Sequence, residues 1–163
     1  MNAINENSVR PLIPPLNQSL GYLINGLARM MRTALETSLK PIGLSPTAWN
    51  VLMAIAESDG LSQTDIGRRT FLDGATVTRA IDFLEAKGCI ERHRADKDRR
   101  VQFVVMTDAG RKLAVETAGL ANTVNDSSTG NLSSSERREF EKTILRIVTY
   151  LIEQNNNGNH NGK

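Results

Sequence analysis

The chain has 163 residues, 39% hydrophobic and 23% charged, with a formal net charge of +2 and one cysteine. That is the length of one domain with a core of its own, and a single thiol excludes an internal disulfide framework. No run approaches 18 apolar residues and Met1 to Arg10 lacks an apolar signal core, so a cytoplasmic protein without a membrane span is expected.

Residues 1–15, with Pro11, Pro14 and Pro15, have no periodicity and read as a flexible N-terminal arm. Helical spacing starts at Leu16: Leu20, Leu23, Leu27, Met30 and Ala34 follow at alternating steps of three and four. This seam, assigned to a helix over 16–40, exceeds what one small lobe can bury. Pro41 and Gly43 end it. Ser45-Pro46 opens a second helix, with Trp49, Leu52, Met53 and Ala56 expected inward. Ser62 with Asp65 resembles a capping box and starts a third, short helix to about Thr70. Asp73 caps a fourth, whose buried stripe is Val77, Ile81 and Leu84 and whose stop is Gly88.

The period then changes. Residues 89–94 and 101–107 read as two strands around a charged turn, Ala95 to Arg99. A fifth helix runs over 109–124 after a Thr107 cap, and Asn125 to Ser134 reads as a loop. A sixth helix over 135–153 carries Phe140, Ile144, Ile147 and Leu151, with Ser133-Ser134-Ser135 and Glu136 forming its cap. The Asn- and Gly-rich residues 154–163 read as a disordered tail.

The fold class is therefore mainly α with a small β-hairpin wing: a winged helix-turn-helix lobe over 45–107, flanked by a helical dimerisation region. Charge supports this division. Ser62 to Lys112 holds eleven Lys/Arg against eight Asp/Glu, a net of +3, and the rest of the chain carries −1. The tightest basic cluster is Arg92 to Arg100. A basic patch suits a polyanion, and an α-helix is one of the few elements that fit the DNA major groove. On the fourth helix Thr76, Thr78 and Arg79 lie off the buried stripe, where short hydroxyls and a guanidinium can reach base edges and phosphates. Ser62 and Gln63 open the preceding helix. Arg94, Lys97, Asp98, Arg99 and Arg100 belong to the wing, from which an arginine can enter the minor groove.

Leu20 to Leu151 resembles the MarR family of bacterial transcription regulators. The resemblance rests on Thr76-Val77-Thr78-Arg79, Leu84-Glu85-Ala86-Lys87-Gly88, Ile90-Glu91-Arg92, Asp96-Lys97-Asp98-Arg99-Arg100 and Met106-Thr107-Asp108-Ala109-Gly110. Leu39 to Ser45, with Trp49 after it, is similar to the SlyA-like branch. Gly74 departs from the polar residue that many members carry there. The resemblance implies a homodimer on palindromic double-stranded DNA, acting as a repressor released by a small aromatic or phenolic effector. It implies that Arg100 enters the minor groove and that Asp98 braces it. It also implies a ligand pocket, for which Ile24, Leu27, Met31, Trp49 and Met53 are the apolar candidates and Arg29 and Arg69 the carboxylate partners.

No cofactor or metal is expected. His93, His160 and Cys89 are too scattered for a zinc site, and no phosphate loop or nucleophile elbow is present, so an enzyme is not expected. Two alternatives stay open: a winged helix used for protein contacts, and a redox-responsive regulator working through Cys89.

Overall fold

The computed structural model describes residues 16–94 and 102–158. Residues 95–101, among them Lys97, Asp98, Arg99 and Arg100, lie outside them, as do residues 1–15 and 159–163. The chain divides into two compact units, Met1–Val124 and Asn125–Lys163.

The first unit opens with a short 3-10 turn, Leu16–Gln18. The α-helix proper begins later than the seam suggested. Ser19 accepts the Tyr22 N–H in its side chain, and α1 spans Leu20–Leu39. Its only buried residue is Leu39; Leu20, Leu23 and Met30 of the seam are 64%, 49% and 65% exposed. After a 3-10 turn at Lys40–Ile42, α2 spans Pro46–Glu57, with Ser45 as its cap and proline at its first position. Leu52 is buried as expected, whereas Trp49 and Met53 are half-buried and Ala56 is exposed. The buried arc lies instead on Ala48, Val51, Leu52, Ala54 and Ile55, because α2 is packed by several elements rather than one.

Three strands form one antiparallel sheet in the order β1-β3-β2. β1 (Leu61–Ser62) was not anticipated from sequence; β2 (Ile90–Arg94) and β3 (Gln102–Met106) are the hairpin. Leu61 pairs with Val104, Ile90 with Met106 and Arg94 with Gln102. Between β1 and β2 lie α3 (Gln63–Thr70) and α4 (Gly74–Ala86). Val77, Ile81 and Leu84 of α4 are at most 1% exposed and join Val51, Leu52, Ile55, Ile66 and Ile90 in one core. Gly88 ends the α4 region at φ 69°, a conformation that favours glycine.

α5 spans Asp108–Ser128, four residues past the predicted end at Val124, so the loop is shorter than Asn125–Ser134. In the first unit α5 adds Ala114 to the core. Its buried Thr117 accepts a hydrogen bond from Trp49 Nε1 at 3.0 Å and donates to the Leu113 carbonyl at 2.8 Å.

The second unit holds the end of α5 and α6 (Ser134–Gly158). Helix α6 runs five residues into the segment assigned to the tail, which corrects the reading of 154–158 as disordered. Ser133 and Glu136 form a reciprocal cap: Ser133 N–H donates to Glu136 Oε2 at 2.8 Å, and Ser133 Oγ accepts the Glu136 N–H at 3.3 Å. Arg137 pairs with Asp126 and Glu141. Among the described side chains of α6 none is buried, and Phe140, Leu145, Tyr150 and Leu151 are exposed.

Candidate nucleic-acid interface

The interface is built on two helices and the turn between them. Ser62 fixes the start of α3: its Oγ accepts the Asp65 N–H at 3.1 Å and donates to the Asp65 carboxylate. That hydroxyl holds the Asp65 carboxyl below its ordinary range. Phe71 ends α3 in the left-handed region, φ 57°, with its ring 68% exposed. Such a backbone is uncommon for a bulky residue. It allows a turn of three residues before α4, with Leu72 N–H returning to the Gly67 carbonyl at 3.2 Å.

Asp73 caps α4, as expected. It does more than cap, because both carboxylate oxygens are taken by Thr76. The Thr76 N–H donates to Oδ1 and its hydroxyl to Oδ2, each at 2.8 Å. These two bonds, the backbone one first, lower the Asp73 carboxyl, and the Arg79 charge adds to them. Arg79 Nη2 donates in turn to Thr76 Oγ1 at 3.1 Å. Two residues after Thr76, Thr78 Oγ1 donates to the Gly74 carbonyl at 2.8 Å. Gln63 reaches across from α3, its amide nitrogen donating to Thr78 Oγ1 and to the Gly74 carbonyl. Gly74 lacks a side chain but supplies the carbonyl on which Gln63 and Thr78 converge. The structure thus holds these side chains off the buried stripe of α4 in two pairs, Gln63 with Thr78 and Arg79 with Thr76, while Ser62 caps the helix that carries Gln63.

The wing is tied to this face. Arg92 on β2 forms charged hydrogen bonds with Asp82 and Glu85 of α4. The sequence places Arg92 in the basic cluster Arg92 to Arg100; the fold pairs it with acids seven and ten residues earlier. Arg94, at the end of β2, stays exposed. Asp73 and Arg92 are the residues whose wider role the sequence reading missed. Asp73 is legible in the sequence as a cap but its bond to the Thr76 hydroxyl is not, and no local signal marks Arg92.

The ligand candidates are less gathered. Ile24 and Arg29 are exposed on α1, and Leu27 and Met31 are half-buried there. Leu27 and Arg29 border an open face along α1 with Tyr22 and Met30. Trp49 and Met53 pack against the core from α2, and the Trp49 N–H is already committed to Thr117. Arg69 is engaged at the other end of α2, with Ser58 Oγ at 3.1 Å and Glu57. Ser58 lies nine residues, or about 13 Å of helix rise, beyond Trp49. Arg69 is therefore not brought together with the aromatic candidate. Cys89 is 5% exposed and burial pushes its thiol up, the opposite of an activated thiolate. No group of metal-ligating side chains occurs among the described residues. Nor is any described helix long and apolar enough to cross a membrane.

A sequence model of the MarR family matches residues 42–101, from the 3-10 turn after α1 to the residue before β3. The chain is 27% identical over 126 residues to YdgJ of Bacillus subtilis, an uncharacterised HTH-type transcriptional regulator, covering 77% of this chain and 75% of that one. Its fold is similar to that of BpsR from Bordetella bronchiseptica, whose DNA binding is regulated by 6-hydroxynicotinic acid. There the TM-score is 0.78 at 23% identity, over 83% of this chain and 97% of that one. It is also similar to CouR from Rhodococcus jostii RHA1, solved bound to p-coumaroyl-CoA, with a TM-score of 0.75 at 22% identity, over 83% and 95%.

Proposed function

We propose that this chain, which belongs to the MarR family of transcriptional regulators, is a homodimeric repressor that binds a palindromic DNA operator and is released by a small aromatic or phenolic ligand. The observation that carries the DNA reading is the outer face of α4. Val77, Ile81 and Leu84 lock one side into the core, and off that stripe Gln63 holds Thr78 while Arg79 holds Thr76. Such a face suits the major groove, with Arg94 and the wing residues Lys97, Asp98, Arg99 and Arg100 beside it.

Homodimerisation is supported by apolar surface that a monomer leaves open. Leu16, Leu20, Leu23 and Met30 are exposed at the start of the chain, as are Phe140, Leu145, Tyr150 and Leu151 on α6. Two copies would set equivalent α4 helices in successive major grooves, about 10 bp apart. The ligand class is supported by relatives: both 6-hydroxynicotinic acid and p-coumaroyl-CoA carry an aromatic ring. Leu27, Met31, Trp49 and Met53 offer apolar and thioether contacts of matching chemistry. Ligand and operator would oppose each other by favouring different spacings of the two α4 helices. A protein with this partner works in the cytoplasm, without catalysis.

The test is selection of bound sequences from a random DNA pool with purified protein. Enrichment of an inverted repeat with half-sites about one helical turn apart is the expected result. Folded, dimeric protein that enriches nothing refutes the DNA reading.

A further inference from the structure

On the reading that α4 enters the major groove, we propose that Asp73 is a specificity-determining positioning residue: by fixing the direction of the Thr76 hydroxyl, it makes α4 read an amino-bearing base edge beside the guanine edge favoured by Arg79. A threonine hydroxyl has one proton and two lone pairs. The Thr76 proton is taken by Asp73 Oδ2 at 2.8 Å and one lone pair by Arg79 Nη2 at 3.1 Å. What remains for DNA is a single lone pair. Thr78 repeats the pattern with different partners. Its proton goes to the Gly74 carbonyl at 2.8 Å, and one lone pair takes the Gln63 amide hydrogen. Towards a ligand both hydroxyls are acceptors, and Arg79 is a donor only.

This polarity has a meaning in base chemistry. Donors in the major groove are the amines of adenine and cytosine; guanine O6 and N7 and thymine O4 are acceptors. A threonine with an uncommitted hydroxyl rotates and serves either kind of edge. Here a thymine or guanine carbonyl would face a lone pair unless Thr76 first gave up its bond to a carboxylate, among the stronger kinds of hydrogen bond. The same commitment removes both hydroxyls as phosphate donors. The charge of Asp73 itself argues for a role beyond capping. Asparagine and serine cap as well as aspartate, and a carboxylate near a polyanion costs general affinity.

Asp73→Asn separates the two roles. The asparagine oxygen keeps the cap to the Thr76 N–H, but its amide donates where Oδ2 accepted, so the Thr76 proton turns outward. The assay is fluorescence anisotropy with the full-length protein, on the duplex enriched from the random pool and on variants with each base pair under α4 exchanged. Loss of a negative charge raises affinity for all DNA, so the readout is the ratio between duplexes. For the wild type, an adenine or cytosine edge at the Thr76 contact is preferred by about tenfold, and replacing the adenine there by purine, which lacks the amine, removes that preference. In Asp73→Asn the preference inverts towards thymine or guanine. In Thr76→Val, which leaves the Asp73 cap in place, the preference is flat. Urea midpoints and far-UV circular dichroism confirm that each variant is folded. The same base ratios in wild type, Asp73→Asn and Thr76→Val overturn the proposal while leaving DNA binding intact. Failure of the wild type to enrich any sequence overturns the DNA reading itself.

Discussion

Gly110→Ala tests how α5 is anchored to the winged lobe. Helix α5 begins where the chain crosses the entry to β2. The Thr107 N–H donates to the Cys89 carbonyl at 3.0 Å, and the Thr107 hydroxyl donates to the Gly88 carbonyl at 2.7 Å. The same hydroxyl accepts the Gly110 N–H at 3.1 Å. A Cβ at Gly110 would lie 1.9 Å from the Cys89 carbonyl oxygen and 2.9 Å from Met106 Cγ, where ordinary contact starts at 3.4 Å. About 1.5 Å must be found, and the obstacle is a carbonyl already bonded to Thr107. Overpacking of this kind costs about 1–3 kcal/mol. The Thr107 bonds that break with the shift add about 1 kcal/mol each. The better helix propensity of alanine returns about 1 kcal/mol. The net expectation is a loss of about 2–4 kcal/mol, which a domain of ordinary stability survives as a weakened fold. Urea denaturation followed by Trp49 fluorescence and far-UV circular dichroism measures it, at one fixed protein concentration because the stability of the proposed dimer would depend on concentration. A loss under about 1 kcal/mol would refute the argument, since it would mean that the crossing relaxes without breaking its hydrogen bonds.

Three further outcomes follow from the same geometry. Arg92→Met should cost about 1–3 kcal/mol in urea unfolding, because a 28% exposed guanidinium loses two charged hydrogen bonds; a double-mutant cycle with Asp82→Asn and Glu85→Gln that is purely additive would show the clamp to be inert. Thr117→Val strands the Trp49 N–H and should cost about 1–3 kcal/mol, with a shifted emission spectrum from the only tryptophan; an unchanged spectrum and midpoint would remove the bond from the account. Acid should loosen the helix caps. Asp65, Asp73 and Glu136 are held below their ordinary values of 3.8, 3.8 and 4.5, so their contribution is full above about pH 4.5 and is lost as pH falls through the lower folded-state values. Amide exchange and circular dichroism from pH 6 to pH 2 would check this, and fraying of α3, α4 and α6 that begins well above pH 5 would contradict it.

Much of this fold is written in local signals. Ser62 with Asp65, Asp73 with Thr76 and Ser133 with Glu136 are spaced to bond an orphan helix N–H, and each marks a helix start to within about a residue. Val77, Ile81 and Leu84 are spaced for one face and are buried on it. What escaped the reading depends on neighbours distant in sequence. Strand β1 is two residues long and has no alternation to detect; it exists because β3 pairs with it. The spacing of Trp49, Leu52, Met53 and Ala56 is helical, but the core took the adjoining arc through Val51 and Ile55, since α3, α4 and β3 all pack on α2. The end of α5 resisted for the opposite reason. Asn125 to Ser128 has the composition of a loop, yet Thr129 donates to the Asn125 carbonyl from both its N–H and its hydroxyl, and Arg137 holds Asp126. Counting charges misled in the same way: Arg68 pairs with Asp65, Arg92 with Asp82 and Glu85, and Arg111 with Asp59 and Asp108.

These pairings bear on how a ligand could act at a distance. Trp49 and Met53 lie on α2, and the same helix meets α4 through Val51, Leu52 and Ile55 in a closed core with Val77 and Ile81. The wing is fastened to α4 by Arg92, and the proposed reading residues are fastened in two pairs, Gln63 with Thr78 and Arg79 with Thr76. A lobe joined in this way has little freedom to reshape α4 alone, because tightly packed interiors transmit displacement rather than absorb it. Pressure on α2 is therefore passed to α4 and to β2 together. In the proposed dimer a ligand beside α2 would act on the separation of two intact reading heads, and the hydrogen bonds that set base preference would be the same in the bound and the released states.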